Sequence, residues 1–298
     1  MYPNVCHKQS KLTSMTNFQY FPLSPKRLWF VLYCHASEIL NAYGIPLTEN
    51  DRKLSSFRGI HRGRKCFIIG NGPSLQIDDL DRIQQNKYIS IASNKIYLAH
   101  NETNWRPSYY TVGDRLVAEN NTKQIRELDL FKFFPTFLKS IMSNSKSPSD
   151  RGRNFYFRAL HGKYDANGKY LSSFSPNIIK GFHIGQTVTN LNIQLAYYLG
   201  CNPIILIGLD GVYKGSTTLT SHDEYGRVYV SHGEINHFNK DYRKIGERWS
   251  IPNIEYHEIA FNCCKKFLEK RGVTILNASR RSAVKAFARI NLDSILRS

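Results

Sequence analysis

The chain has no CxxC pair, no Cys/His ligand spacing and no apolar run long enough to cross a bilayer. The first two absences exclude the common structural zinc sites and a disulfide-built scaffold. Its six cysteines (Cys6, Cys34, Cys66, Cys201, Cys263, Cys264) are scattered, which suits a reducing cytosol where thiols serve as small apolar fillers. Cys263 and Cys264 are adjacent, and neighbours on a helix point about 100° apart, so neither a disulfide nor a metal site is expected there. The first sustained apolar run, "RLWFVLYCHASEIL" (Arg27–Leu40), is too short and too polar at its centre to span a membrane. It suits an amphipathic helix, either packed on the protein or resting on a membrane interface with Lys26 and Arg27 at the headgroups. "MYPNVCHKQSKLTSM" has no apolar h-region, so no secretory leader is expected and the cytoplasm is the expected location. RNP-type aromatic motifs, zinc fingers and basic zippers are missing too, so nucleic acid is not the expected partner. Acidic residues are scarce, with Asp+Glu 23 against Lys+Arg 41 for a net charge of +18. That excess calls for an anionic partner, and a membrane surface or a small anionic substrate fits best.

What is present reads as α/β. At 298 residues with 41% hydrophobic content the chain can bury a sizeable core. "CFIIG", "YISIAS", "PSYYTVGD", "NPIILIGLD" and "GVTILNAS" are short β-rich runs of the kind found in buried parallel strands. Between them, "DDLDRIQQ", the stretch 115–142, "GQTVTNLNIQLAYYLG" (Gly185–Gly200), 255–271 and a last segment around 280–290 read as helices. The alternation predicts a Rossmann-like, mainly parallel sheet flanked by helices. Residues 1–60 read as an N-terminal arm with one helix near 26–43, and 61–298 as the nucleotide-binding domain. The stretch 143–181 reads as an extended loop or β excursion, and 211–254 as a long lid. There is no internal repeat and no low-complexity tract.

In open parallel sheets, ligands lie beyond the carboxyl ends of the strands. Gly70-Asn71-Gly72-Pro73-Ser74, Ser93-Asn94, Gly113-Asp114 and Asp210 all fall at such ends. Glycines let backbone N–H groups approach an anion, a following helix N-terminus adds positive dipole, and Pro73 forfeits only an N–H that would go unpaired. The same residues also suit a tight turn, and the pattern is neither G-x-G-x-x-G nor the lysine-bearing phosphate loop. Asp78, Asp79 and Asp81 suit a helix cap or flank; Asp114 and Asp210 suit either capping or chemistry. Three histidines (His222, His232, His237), Asp223, Glu224, Asp241 and four tyrosines crowd into 211–245, where so little apolar periodicity suggests a binding loop. Their spacing does not suit zinc. General-base work by His237 or Asp241, with tyrosine hydroxyls donating to a leaving phosphate, fits better.

Taken together, "FIIGNGPSL…DL", "ASNKIYLAH", "TNWRPSYYTVGD", "GQTVTNLNIQLAYYLG…IILIGLDGVY" and "NHFNKDY" resemble the MptE-like family over roughly residues 60–290. Its named member is an archaeal 6-hydroxymethyl-dihydropterin diphosphokinase, and many bacterial relatives sit among polysaccharide genes. The motif order is also similar to the bacterial CMP-sialic-acid sialyltransferases. That resemblance implies CMP bound at the strand ends without an obligatory metal or cofactor. Asn71 and Ser74 would meet the nucleotide, Asn94 its ribose or phosphate, and Gln186 and Thr187 the donor; Gly70, Gly72 and Asp114 are expected on the same rim from their strand-end positions. Asp210 and Tyr213 would mark the catalytic edge, although Tyr213 stands one residue later than the sialyltransferase pattern. Where that pattern puts its base, four residues after a histidine, this chain has Asp241, with His237 as the matching histidine.

Three functions follow as expectations. The first is a glycosyltransferase moving an acidic sugar from a CMP donor to an anionic glycan or lipid-linked acceptor at the inner membrane surface, in an oligomer of the kind common among its analogues. The second is a diphosphokinase using ATP and Mg²⁺ held by Asp114 and Asp210. The third is a nucleotide sensor or scaffold with no activity of its own.

Overall fold

A computed structural model describes residues 36, 39–40, 42–143, 152–214, 217–223, 226–233 and 235–296, with the backbone alone for 217–227. The chain divides into two compact units, Met1–Leu40 and Asn41–Ser298. The amphipathic helix expected near 26–43 falls largely outside the described residues. Residues 41–60, expected to belong to the arm, are part of the second unit. Its first described helix, α1 (Glu49–Ser56), opens with a capping box between Thr48 and Asp51. It is tied to the domain where Asn50 bonds both the N–H and the carbonyl of Tyr156.

The main sheet follows from short runs in which every residue is buried. In order along the chain come β1 (Cys66–Ile69), α2 (Ile77–Gln85), β2 (Ile89–Ser93), β3 (Tyr109–Thr111), α3 (Arg115–Asn120), α4 (Thr122–Glu127), β4 (Phe131–Pro135), α5 (Lys139–Met142) and β5 (Asn154–Phe157). Short strands β6 (Ala159–Leu160), β7 (Lys163–Tyr164), β8 (Tyr170–Leu171) and β9 (Phe182–His183) precede α6 (Val188–Tyr198) and β10 (Ile204–Ile207). After β11 (Thr217–Asp223), β12 (Gly226–Ser231) and β13 (Arg248–Trp249) come α7 (Ile254–Glu269), β14 (Ile275–Asn277), β15 (Ala288–Arg289) and α8 (Leu292–Leu296). Eight of these strands form one sheet in the order β15-β14-β10-β1-β2-β3-β4-β5, and every pairing in it is parallel. The expected Rossmann-like architecture is therefore the observed one.

Period-two alternation sends each strand's side chains to two cores. Cys66 and Ile68 join α1, α6 and α7 residues such as Leu54, Leu191 and Phe261 on one face. Phe67 and Ile69 join Leu80, Ile83, Ala118 and Leu292 on the other. Helix α6 lies deep in the first core, and even its polar side chains are buried. They are satisfied there: Asn192 accepts from the Thr111 hydroxyl, and Gln194 bonds the backbone of Ser175 and His183.

Two helical expectations are corrected. Within 115–142, Phe133 and Phe134 belong to β4 rather than to a helix, because adjacent aromatics on opposite faces of a strand can each fill one core. The segment around 280–290 is a loop leading into β15, not a helix. The 211–254 segment carries its own three-stranded antiparallel sheet, β11-β12-β13. No helix among the described residues is long and apolar enough to cross a membrane.

Candidate active site at the crevice between the first strand and β10

The chain runs from β1 outward through β2 to β5, then returns to lay β10 on the opposite side of β1. That reversal opens a crevice at the carboxyl ends of β1 and β10, and the GNGPS turn fills one wall of it. Here the glycines serve close packing against the β10 turn. Gly70 and Gly72 donate their N–H groups to the carbonyls of Ile207 and Gly208. A Cβ on Gly72 would stand 2.7 Å from the Gly208 oxygen and 2.8 Å from the Asp210 carboxyl carbon. Asp210 is only 8% exposed. Its carboxylate accepts from the Ser74 N–H at 2.8 Å and from the Ser74 hydroxyl. Burial raises its pKa, while the Ser74 bonds and the charges of Arg289 and Arg281 pull it back. Three N–H groups expected to face an anion, those of Gly70, Gly72 and Ser74, are thus already spent within the protein. What the turn leaves without a partner is an acceptor.

That acceptor is the amide oxygen of Asn71. Its amide nitrogen donates to the Ser93 carbonyl at 3.1 Å, but Oδ1 is buried and makes no hydrogen bond. Asn94, the next residue, takes a left-handed backbone conformation (φ 55°) and likewise keeps a buried Oδ1 without a partner. The Tyr110 hydroxyl holds its carbonyl, and its side chain bonds the Tyr242 hydroxyl. Two buried acceptors therefore stand side by side at the ends of β1 and β2.

The segment after β12 closes over them. Phe238 donates its N–H to the Asn71 carbonyl at 2.9 Å. The His237 ring lies flat on Tyr242, with centroids 3.6 Å apart and planes 5° off parallel, and Tyr213 stands edge-on at 6.4 Å. Burial keeps the Tyr242 phenol protonated well beyond the ordinary tyrosine range. Lys214 and Asn236 exchange two hydrogen bonds between backbone and side chain, joining the strands of chain that carry Tyr213 and His237. Beneath them Lys95 and Glu247 form a 2.5 Å ion pair with both side chains largely buried. Burial lowers the lysine's pKa, and Glu247 opposes the shift.

His237, Tyr213, Asn71 and Asn94 are thus brought together, with Gly70, Gly72, Ser74 and Asp210 forming the wall behind. Asp241 is not among them: it is exposed, and its N–H turns back to the Asn239 side chain. Asp114 caps α3 by accepting from the Val117 N–H at 3.0 Å, and burial raises its pKa. Thr187 caps α6. Gln186 is exposed in a left-handed conformation, and its carbonyl accepts from His257 Nε2 at 2.8 Å. His222, Asp223 and Glu224 have no described side chains. Among the described residues no group of three or more His, Cys, Asp or Glu side chains could hold a metal ion. Tyr242 was read only as one of the tyrosines of 211–245, and Lys95, Glu247 and His257 went unread in the sequence. Lys95 stands next to a strand-end asparagine, whereas Glu247 and His257 act through contacts across more than 70 residues of chain.

Among solved structures, the chain is similar to a MAf glycosyltransferase from Magnetospirillum magneticum AMB-1, at 16% identity and a TM-score of 0.43. The match covers 91% of this chain and 43% of that one, so the chain spans under half of that protein's length. No curated protein matches it. The family described as "6-hydroxymethylpterin diphosphokinase MptE-like" matches over residues 42–216, which take in the crevice from the GNGPS turn to Tyr213. The chain belongs to the MptE-like family.

Proposed function

We propose that the protein is a glycosyltransferase that takes an acidic sugar from a CMP-activated donor and joins it to a hydroxyl of an anionic glycan or lipid-linked acceptor. The observation that carries this reading is the pair of buried, unpartnered amide oxygens of Asn71 and Asn94. A buried acceptor left unmatched costs about 1–3 kcal/mol. A nucleoside, with its ribose hydroxyls and exocyclic amino group, supplies the missing donors where a bare phosphate has none.

The chemistry then falls to the ring cluster. As the acceptor oxygen bonds to the anomeric carbon, the bond from that carbon to the CMP phosphate oxygen breaks. His237 takes the acceptor's proton, and the Tyr213 hydroxyl donates a hydrogen bond to the departing phosphate. Tyr242 stays neutral and holds the His237 ring face-on. His237 is a better base than Asp241 because its ring packs in the crevice on Tyr242 while Asp241 is exposed. The diphosphokinase reading is less well supported: Asp114 and Asp210 end strands three positions apart in the sheet, about 14 Å at ordinary strand spacing, so they do not converge on one Mg²⁺. The positive charge of +18 favours work at an anionic membrane surface.

Thermal shift with CMP, CDP, UDP, GDP and ATP, each with and without Mg²⁺, tests the reading. CMP at 100 times its Kd should add about 2.7 kcal/mol, without metal, and Asn71→Ala should abolish the shift. His237→Asn should stop transfer while CMP still binds, and Asp241→Asn should leave transfer nearly intact. Stabilisation by ATP alone, and only with Mg²⁺, would overturn the proposal in favour of the diphosphokinase. CMP binding with no turnover of any CMP-sugar would favour a sensor.

A further inference from the structure

The crevice has a second wall, and it is cationic. The loop after β14 is strapped along the β10 turn by three bonds. Ser279 Oγ accepts from the Leu209 N–H at 2.9 Å, Ser282 Oγ donates to the Leu209 carbonyl at 2.5 Å, and the Ala283 N–H donates to the Asp210 carbonyl at 2.7 Å. Arg281 sits in the middle of this strap. It is exposed, and among the described residues it makes no hydrogen bond and no ion pair. Arg289, at the carboxyl end of β15, is also exposed. It donates to the Ser279 carbonyl and has no carboxylate ion-pair partner among the described residues. Their neighbour Arg280 is different, because its guanidinium is committed to a two-pronged pair with buried Asp79. The Arg281 and Arg289 charges both act on Asp210, whose oxygens are both held by Ser74.

We propose that Arg281 and Arg289 form an oxyanion subsite on the β14 side of the crevice, which receives the negatively charged group of the bound substrate, a phosphate or a sugar carboxylate. Two facts bear on this beyond the bare charge. The N–H groups of Gly70, Gly72 and Ser74 are spent on the β10 turn, so these three offer an entering anion no donor. The order β15-β14-β10-β1-β2 also sets Arg281, after β14, three strands from Asn94 and Arg289, on β15, four, about 14 and about 19 Å, far enough for a nucleoside on one wall to present a charged group to the other. A guanidinium offers planar, paired N–H donors suited to either anion. The proposal rests on the reading of the crevice as a substrate site, not on which substrate fills it.

The test is calorimetry on the full chain with three probes: CMP, inorganic pyrophosphate and free sialic acid. Arg281→Ala removes a side chain that makes no hydrogen bond or ion pair among the described residues; Arg281→Ala/Arg289→Ala removes both charges. Lys53→Ala/Arg153→Ala, which removes two charges from α1 and the β5 edge, controls for net charge. The double arginine variant should bind pyrophosphate or sialic acid about tenfold or more weakly, Arg281→Ala by a smaller factor, and the control within about twofold of the parent. Loss confined to pyrophosphate would assign the subsite to a phosphate, and loss confined to sialic acid to a carboxylate. Equal affinity of the parent and the double variant for both anions would overturn it, as would failure of both anions to bind the parent. If CMP does not bind but pyrophosphate binding depends on the arginines, the subsite stands and the CMP reading falls. If CMP binds and the arginines make no difference, the reverse holds.

Discussion

The two walls that hold the ring cluster are built by different means. The GNGPS turn is fixed by backbone against backbone: Gly70 and Gly72 leave no room for a side chain, and their N–H groups reach the β10 turn directly. The segment from Ser231 to Trp249 adds to its backbone bonds a set of side-chain ties: Lys95 with Glu247, Tyr242 with Asn94, Asn236 with Lys214, and Arg243 stacked 3.5 Å over Trp249. A wall of the first kind tolerates no substitution at its contact points. One of the second kind yields bond by bond, as suits a segment that must let a substrate pass.

The largest effect should come from the rigid wall. Gly70→Ala would drive its Cβ into the Gly208 carbonyl, with the carbonyl carbon 2.8 Å away. Backbone stands on both sides, so nothing flexible can yield, and we expect a loss of more than about 3 kcal/mol in unfolding free energy, seen as a lower urea midpoint. If Gly70→Ala unfolds near the parent midpoint, the contrast between the walls is lost. On the other wall, Lys95→Met would strand Glu247 in a largely buried position at a cost of about 3 kcal/mol. The double variant Lys95→Met/Glu247→Leu should regain most of it. No recovery would mean that the lysine packs rather than pairs.

The smallest of these effects concerns the entry to α6, where His257 joins Gln186. Burial lowers the His257 pKa to about 4, below the 6.5 of an unfolded histidine. The unfolded chain therefore binds the extra proton between those values, and stability must fall as the pH drops through that window. From pH 7 to pH 5 the loss from this group is about 2 kcal/mol. His100, also lowered to about 4 by burial, acts in the same direction. His257→Gln should flatten the decline in melting temperature, and an unchanged pH slope would show that the ring is not held neutral.

Much of the sheet was legible in the sequence, because β1, β2, β3, β10 and β14 are short, wholly or mainly apolar and bounded by turn residues. β4 was not, since "LDLFKFFP" follows directly on α4 and its aromatics suit a helix face equally well. The site was legible at the strand ends, where Asn71, Asn94 and Asp210 announce themselves by position. It was not legible where a residue's role depends on distant chain. Asp210 reads as a candidate for chemistry until Ser74, 136 residues away, is seen to hold it. The sequence ranks His237 and Asp241 equally, and only the fold stacks the first on Tyr242 and leaves the second exposed.

The bond between Ser74 and Asp210 has a consequence for the order in which the molecule matures. Its partners are separated by 136 residues, and the strap at Ala283 that completes the crevice is later still in the chain. Contacts of such long sequence separation form slowly, since a large loop must close before they reward the closure. A nascent chain that has made β1 to β5 owns five of the eight strands and no crevice. Any ligand gripped by both walls can therefore bind only the finished fold, so its whole binding free energy counts against unfolding rather than being shared with partly folded forms.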